Sequence, residues 1–212
     1  MTEALNEQAR LHLKTSRDNL HADFDTLLSP SHVDTVFDDS IARIHGKGRF
    51  DDYVPALAEK LARERLKAAA QSEGLLKKNV PNVLFVALHD TGRGQMGAAI
   101  MRTLAGERIN VQSAGTRGDV APVDPGVAKA MEEIGIELAG TYSKPLTPEV
   151  LQAADVVVTM SKSTGQFEIP EGVRHVDWRL GDPGGAPPDE IRRIREDIKA
   201  RVQALIDELA PN

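Results

Sequence analysis

After Pro81 the chain alternates short β-rich runs with amphipathic helical stretches. That alternation constrains the fold more than any other feature of the 212 residues. The β-rich runs are Val83–Leu88, Ile109–Ser113, Asp155–Met160 and Arg174–Trp178. Helical patterns lie between them, from a Gly-rich turn to Leu104, from Asp124 to Ile134 and from Pro148 to Ala153, and Pro188–Leu209 closes the chain. Strands that alternate with helices are joined by right-handed crossovers, which sets them parallel in one sheet. The expected fold class is therefore α/β, an open parallel sheet of about four strands with helices on both faces. Ligands of such sheets bind at the carboxyl ends of the strands, so the segment after the first strand is the candidate site.

Upstream of Pro81 the pattern is helical throughout. Leu5, Ala9, Leu20, Phe24, Leu27 and Leu28 recur at helical spacing until Leu28-Ser29-Pro30-Ser31 interrupts them. A second helix is expected from about Ser31, with Val33, Val36, Phe37, Ile41 and Ile44 on one face, ending at His45-Gly46-Lys47-Gly48. A third is expected over Asp51–Ser72, where Pro55 fits the first turn and Gly74 supplies the stop. Lys77–Pro81 reads as a linker. The domain organisation expected is 1–78 as a small all-α unit of three helices and 79–212 as the α/β domain.

Composition removes whole classes of chemistry. There is no cysteine, which excludes disulfides, thiolate nucleophiles, thiol relays, Cys-ligated zinc and iron–sulfur clusters. The formal net charge is -6, and neither 1–80 nor 81–212 has a basic excess, so no footprint for nucleic acid or anionic lipid exists. Aromatic residues make up only 4%, which argues against base stacking on single strands. No apolar run approaches the ~18 residues of a membrane span, and the opening segment has no signal-like hydrophobic stretch. The cytosol is the expected compartment. The six His show no pairing at ligand spacing, so neither a metal nor a resident cofactor is expected.

The turn after the first strand contains Gly92-x-Gly94-x-x-Gly97, formally a dinucleotide fingerprint. The fit is poor, because Leu88, His89, Asp90 and Thr91 separate the apolar run from the first glycine, and the second strand ends in Ser113-Ala114-Gly115, not an acidic residue that would hold a ribose; Asp119 comes later. The other reading is a cradle for one tetrahedral oxyanion. Backbone N–H groups of Leu88, His89, Asp90, Thr91, Gly92, Arg93 and Gly94 would surround it at a helix N-terminus, and the Arg93 guanidinium would close a bidentate clamp. Asp90 would add a carboxylate at the lip of that cradle, a repulsion on the order of 1 kcal/mol when solvated.

Several ordered segments together resemble the low-molecular-weight protein tyrosine phosphatases, and especially their thioredoxin-coupled arsenate reductase branch. The segments are Ala87–Gly94, Ser113-Ala114-Gly115-Thr116, Lys144-Pro145-Leu146-Thr147, Ala153–Met160 and Asp177-Trp178 through Asp182-Pro183. The helical unit is similar to a three-helix extension found on some actinobacterial members. Gly184-Gly185 stands where animal phosphatases carry paired tyrosines, which favours the reductase branch. The resemblance assigns the nucleophile position to Ala87, whose methyl group can neither attack phosphorus or arsenic nor carry a covalent intermediate. It places the relay thiols near Lys162 and Gln166, the family's Ser after the Arg at Gly94, its loop Asn at Asp90 and its general acid at Asp182. These losses fit a pseudoenzyme that has drifted from the redox role. It would hold phosphate, arsenate, sulfate or a phosphorylated protein partner. An active reductase or phosphatase altered at Ala87, a dinucleotide-dependent oxidoreductase and an interaction protein with an unused loop are the alternatives. Asp182 could equally be an acid or only a cap before Pro183.

A helical unit of about 75 residues is near the size at which a single core is only marginally sufficient. A homodimer through residues 1–75 is therefore expected. Sedimentation should show a dimer at tens of micromolar that becomes monomeric when the segment is deleted; a monomer in both cases contradicts it.

Overall fold

The computed structural model describes residues 6–45, 53–118, 120–138, 141–160 and 167–211. Leu5, the expected start of the third helix at Asp51, Asp119, and the relay positions Lys162 and Gln166 lie outside them. In chain order the elements are α1 (Glu7–Phe24), α2 (Pro30–Ile44), α3 (Val54–Ser72), β1 (Asn82–Ala87), α4 (Arg93–Ala105), β2 (Asn110–Gly115), α5 (Pro125–Glu132), α6 (Pro148–Gln152), β3 (Val156–Thr159), β4 (Arg174–Asp177) and α7 (Pro188–Leu209). The chain divides into two compact units, one comprising Met1–Lys77 and Thr147–Ala153, the other Lys78–Leu146 and Ala154–Asn212.

In the first unit each helix starts where the local chemistry favours it. The Asn6 side chain caps α1 by accepting from the Ala9 N–H at 2.8 Å. Ser29 caps α2, and Pro30 occupies its first turn. Leu13, Leu20, Phe24, Val33, Phe37, Ile41, Leu61 and Leu66 are buried, following the apolar stripes of the sequence. Arg65 on α3 is also buried. Its guanidinium donates to Asp39 at 2.7 Å, to Ser40 at 3.0 Å and to Glu149 of α6 at 2.9 Å. A buried guanidinium is tolerated only when paired in this way, and the pairing ties α6 into the helical unit.

The second unit is a four-stranded sheet in the order β2-β1-β3-β4, parallel throughout. Leu84, Val86 and Val157 point to one face, and Val83, Phe85 and Val158 to the other, and all are buried. A sheet buried on both faces explains why its inner strands read as continuous apolar runs. Against the second face pack Met96 and Met101 of α4, Val127 and Met131 of α5, and Ile194, Ile198 and Val202 of α7. Edge strand β4 is mostly exposed, and its successor Trp178 tilts against Phe85 with ring centroids 5.8 Å apart. The chain leaves β1 toward β2 on one side and returns to β3 on the other, so the carboxyl end of β1 is the switch point.

Candidate functional site

The site is built at the end of β1 by fixing the carbonyls of the following loop so that its N–H groups are left over. The Ala87 and Leu88 carbonyls accept from the N–H groups of Thr116 and Arg117, each at 3.0 Å, and the Thr91 carbonyl accepts from the Asp124 N–H at 2.9 Å. The N–H groups of Leu88, Thr91 and Gly92 have no hydrogen-bond partner among the described residues. The start of α4 has no side-chain cap, so its first-turn N–H groups add to the same positive end. Ala87, Leu88, His89, Asp90, Thr91, Gly92 and Arg93 line a pocket with Asp124, Asp182, Pro183 and Gly184. Its volume is about 80 Å³. That leaves no room for a dinucleotide, whose sites occupy roughly 300–1,000 Å³.

Arg93 is buried, and burial pulls its pKa below the ordinary guanidinium value, with Asp182 opposing the shift. Its Nη1 donates to the carbonyls of Leu180 at 2.8 Å and Gly181 at 3.1 Å, and Nη2 lies 3.9 Å from Asp182. The guanidinium thereby ties the loop after β4 to the start of α4. Nε and the remaining Nη2 protons make no hydrogen bond among the described residues. Asp182 is exposed, with one oxygen accepting from the Gly184 N–H at 3.1 Å. The same β4 loop closes over Gly92, where an added Cβ would lie 2.9 Å from Pro183 Cγ. His89 is exposed at the rim.

Asp90 corrects the expectation of a carboxylate at the lip. It adopts φ 56°, a left-handed conformation tolerated by Asp and Asn, and this turns its side chain beneath the loop, where the residue is 1% exposed. Oδ2 accepts from Gln95 Nε2 at 3.0 Å, Ser113 Oγ at 3.1 Å and the Lys144 N–H at 3.4 Å, while Oδ1 has no partner. Burial raises its pKa to about 7 against the opposing charges of Lys144 and Arg102. A Cβ on Gly94 would lie 2.5 Å from Oδ1. A side chain at 94 and this carboxylate cannot share the space, so the two departures Asp90 and Gly94 belong together. Gln95, Ser113 and Lys144 form the floor under the loop, a role the sequence motifs did not reveal although Ser113 and Lys144 stood within them.

Residues 82–212 match the sequence profile of the family described as low molecular weight phosphotyrosine protein phosphatase. The chain belongs to this family. It is 30% identical to arsenate reductase 1 of Staphylococcus epidermidis over 125 residues, covering 58% of this chain and 93% of that protein. It is likewise 30% identical to the arsenate reductase of Brevibacillus brevis, covering 61% and 97%. Among solved structures, the thioredoxin-dependent arsenate reductase of Corynebacterium glutamicum superposes with a TM-score of 0.80 at 27% identity, covering 93% of this chain and 95% of the other. That coverage includes helices before the α/β domain, as the three-helix extension implied. An arsenate reductase in a phosphate-binding state superposes with a TM-score of 0.56 at 31% identity over 62% of this chain and all of the other.

The buried Asp90 carboxyl predicts a pH-dependent stability. A carboxyl whose folded pKa is raised favours the protonated state, so its contribution is fully present below the unfolded value near 3.8 and is lost as pH rises through about 7. At roughly 1.4 kcal/mol per pKa unit, the loss is on the order of a few kcal/mol. Asp90→Asn should therefore gain stability relative to the parent between about pH 5 and pH 8 in urea unfolding. A stability difference constant across that range contradicts the burial of an ionisable group here.

Proposed function

We propose that this chain is a cytosolic, catalytically silent member of its family that holds a tetrahedral oxyanion, either free phosphate, arsenate or sulfate or the phosphoryl group of a protein partner, in the loop Ala87–Gly94. The observation that carries this reading is the pairing of unpartnered loop N–H groups with the Ala87 methyl group in the pocket lining. Each donor aimed at a bound oxygen is a charge-assisted hydrogen bond, and these bonds are the stronger kind. Nε and Nη2 of Arg93 supply two further donors in the planar fork that suits an oxyanion. Because Nη1 already holds the loop after β4, binding would add to that tie without breaking it.

The residues present can bind but cannot carry out the family's chemistry. Attack on phosphorus or arsenic needs a nucleophile within reach of the bound centre, and Ala87 offers only C–H bonds. The sequence contains no thiol to accept an oxidised intermediate or pass electrons onward. Asp182 has no leaving group to protonate under this reading, and its hydrogen bond to the Gly184 N–H supports the capping role. The arsenate reductases among the relatives favour arsenate and phosphate over larger ligands, as does the size of the pocket.

Purified protein given arsenate, thioredoxin, thioredoxin reductase and NADPH should show no NADPH consumption above background, and its aryl phosphate hydrolysis should equal that of Arg93→Ala. Calorimetry should nevertheless detect phosphate binding at roughly millimolar strength, about tenfold or more weaker in Arg93→Ala. Turnover above background, or equal binding by the parent and Arg93→Ala, contradicts the proposal.

A further inference from the structure

Asp90 is the buried titratable group that binding by the loop leaves unused, and its two oxygens are treated differently. Oδ2 collects three donors, from Gln95 on α4, Ser113 on β2 and the Lys144 N–H. Oδ1 collects none, is shielded from solvent, and faces the Gly94 backbone. The Cβ position of Gly94 is 2.5 Å from Oδ1 and 3.6 Å from the Ala87 methyl, so the unpartnered oxygen lies within roughly 6 Å of that methyl group. A proton on this carboxyl therefore belongs on Oδ1, where no donor opposes it.

We propose that the oxyanion site takes up one proton on Asp90 Oδ1 together with its anion, so that anion affinity is set by pH. This inference rests on the oxyanion reading above and names its regulation. The charged groups that act on Asp90 are Lys144 from the segment before α6 and Arg102 from α4, and the titratable groups that share its pocket are His89 and Arg93 of the loop, Asp124 before α5 and Asp182 of the loop after β4. In the free protein Lys144 and Arg102 favour the carboxylate, and burial opposes them, which leaves the group balanced near neutrality. An arriving anion adds negative charge a few ångströms away through little solvent, and the balance moves to the neutral acid. One proton comes from solvent, one anion binds, and no covalent bond other than Oδ1–H forms. Reciprocally, a protonated Asp90 removes one of the carboxylate charges that oppose the anion.

Sulfate is the probe, because it stays fully ionised across the range in which phosphate itself titrates. Calorimetric titration of the full chain between about pH 8.5 and pH 5.5 should show sulfate affinity rising roughly tenfold or more, the size expected for a charge removed at this distance. Repeating the titration near neutrality in two buffers of different ionisation heat should show net proton uptake by the parent protein. Asp90→Asn should bind sulfate with little pH dependence and no proton uptake, while His89→Gln should keep the slope. Sulfate bound with equal affinity at both pH extremes, without proton uptake, or with a slope that survives Asp90→Asn or disappears in His89→Gln, overturns the inference and leaves the oxyanion reading intact. Failure of both sulfate and phosphate to bind at every pH overturns the oxyanion reading and this inference with it.

Discussion

The loop after β1 depends on where its carbonyls are sent. In the middle of a parallel sheet, β1 is held on both sides, and the backbone that leaves it must satisfy its polar groups within a few residues. Thr116, Arg117 and Asp124 accomplish this by donating to the Ala87, Leu88 and Thr91 carbonyls, which fixes the loop from the β2 side. With the carbonyls fixed outward, N–H groups remain for the interior of the turn. The left-handed φ at Asp90 completes the reversal and sends that side chain beneath the loop into the floor made by Gln95, Ser113 and Lys144. A concavity with unpartnered N–H groups follows from the backbone itself.

Under the proposed reading, that separation between scaffold and chemistry lets the loop hold an oxyanion without a nucleophile at position 87. A cysteine at position 87 would place a thiolate over the floor, whereas Ala87 leaves a methyl group there. Asp90, Asp124 and Asp182 remain as carboxylates around the pocket, and the burial of Asp90 makes it the one that is readily neutralised. Gly94 is part of the same adjustment, since the unpartnered carboxylate oxygen occupies the space that a side chain would need. Arg93 keeps its place through the carbonyls of the loop after β4, an anchor independent of any reaction.

Much of the fold is legible in the sequence. The parallel sheet could be read because β1 and β3 are buried on both faces and therefore written as unbroken apolar runs, and α7 because its apolar stripe is long and starts with proline. The candidate segment stands out in the sequence because it follows the first β-rich run and carries Arg93. The place of Asp90 beneath the loop is not legible in the sequence, because its side chain is held by Gln95, Ser113 and Lys144, the last two remote in sequence. The attachment of Thr147–Ala153 to the helical unit was equally hidden. A five-residue helix declares its existence through Pro148, but its partner Arg65 lies 84 positions away, and local pattern cannot express that pairing.

The central claim is that the loop binds an oxyanion through its backbone although the chain can do no thiol chemistry. The most direct measurement follows the amide resonances of Leu88 through Gln95 during a phosphate titration of the full chain. The account predicts saturable shifts confined to these residues and their immediate neighbours, with a midpoint at roughly millimolar phosphate. Amides that stay in place at tens of millimolar phosphate would contradict it and leave the loop as a structural relic.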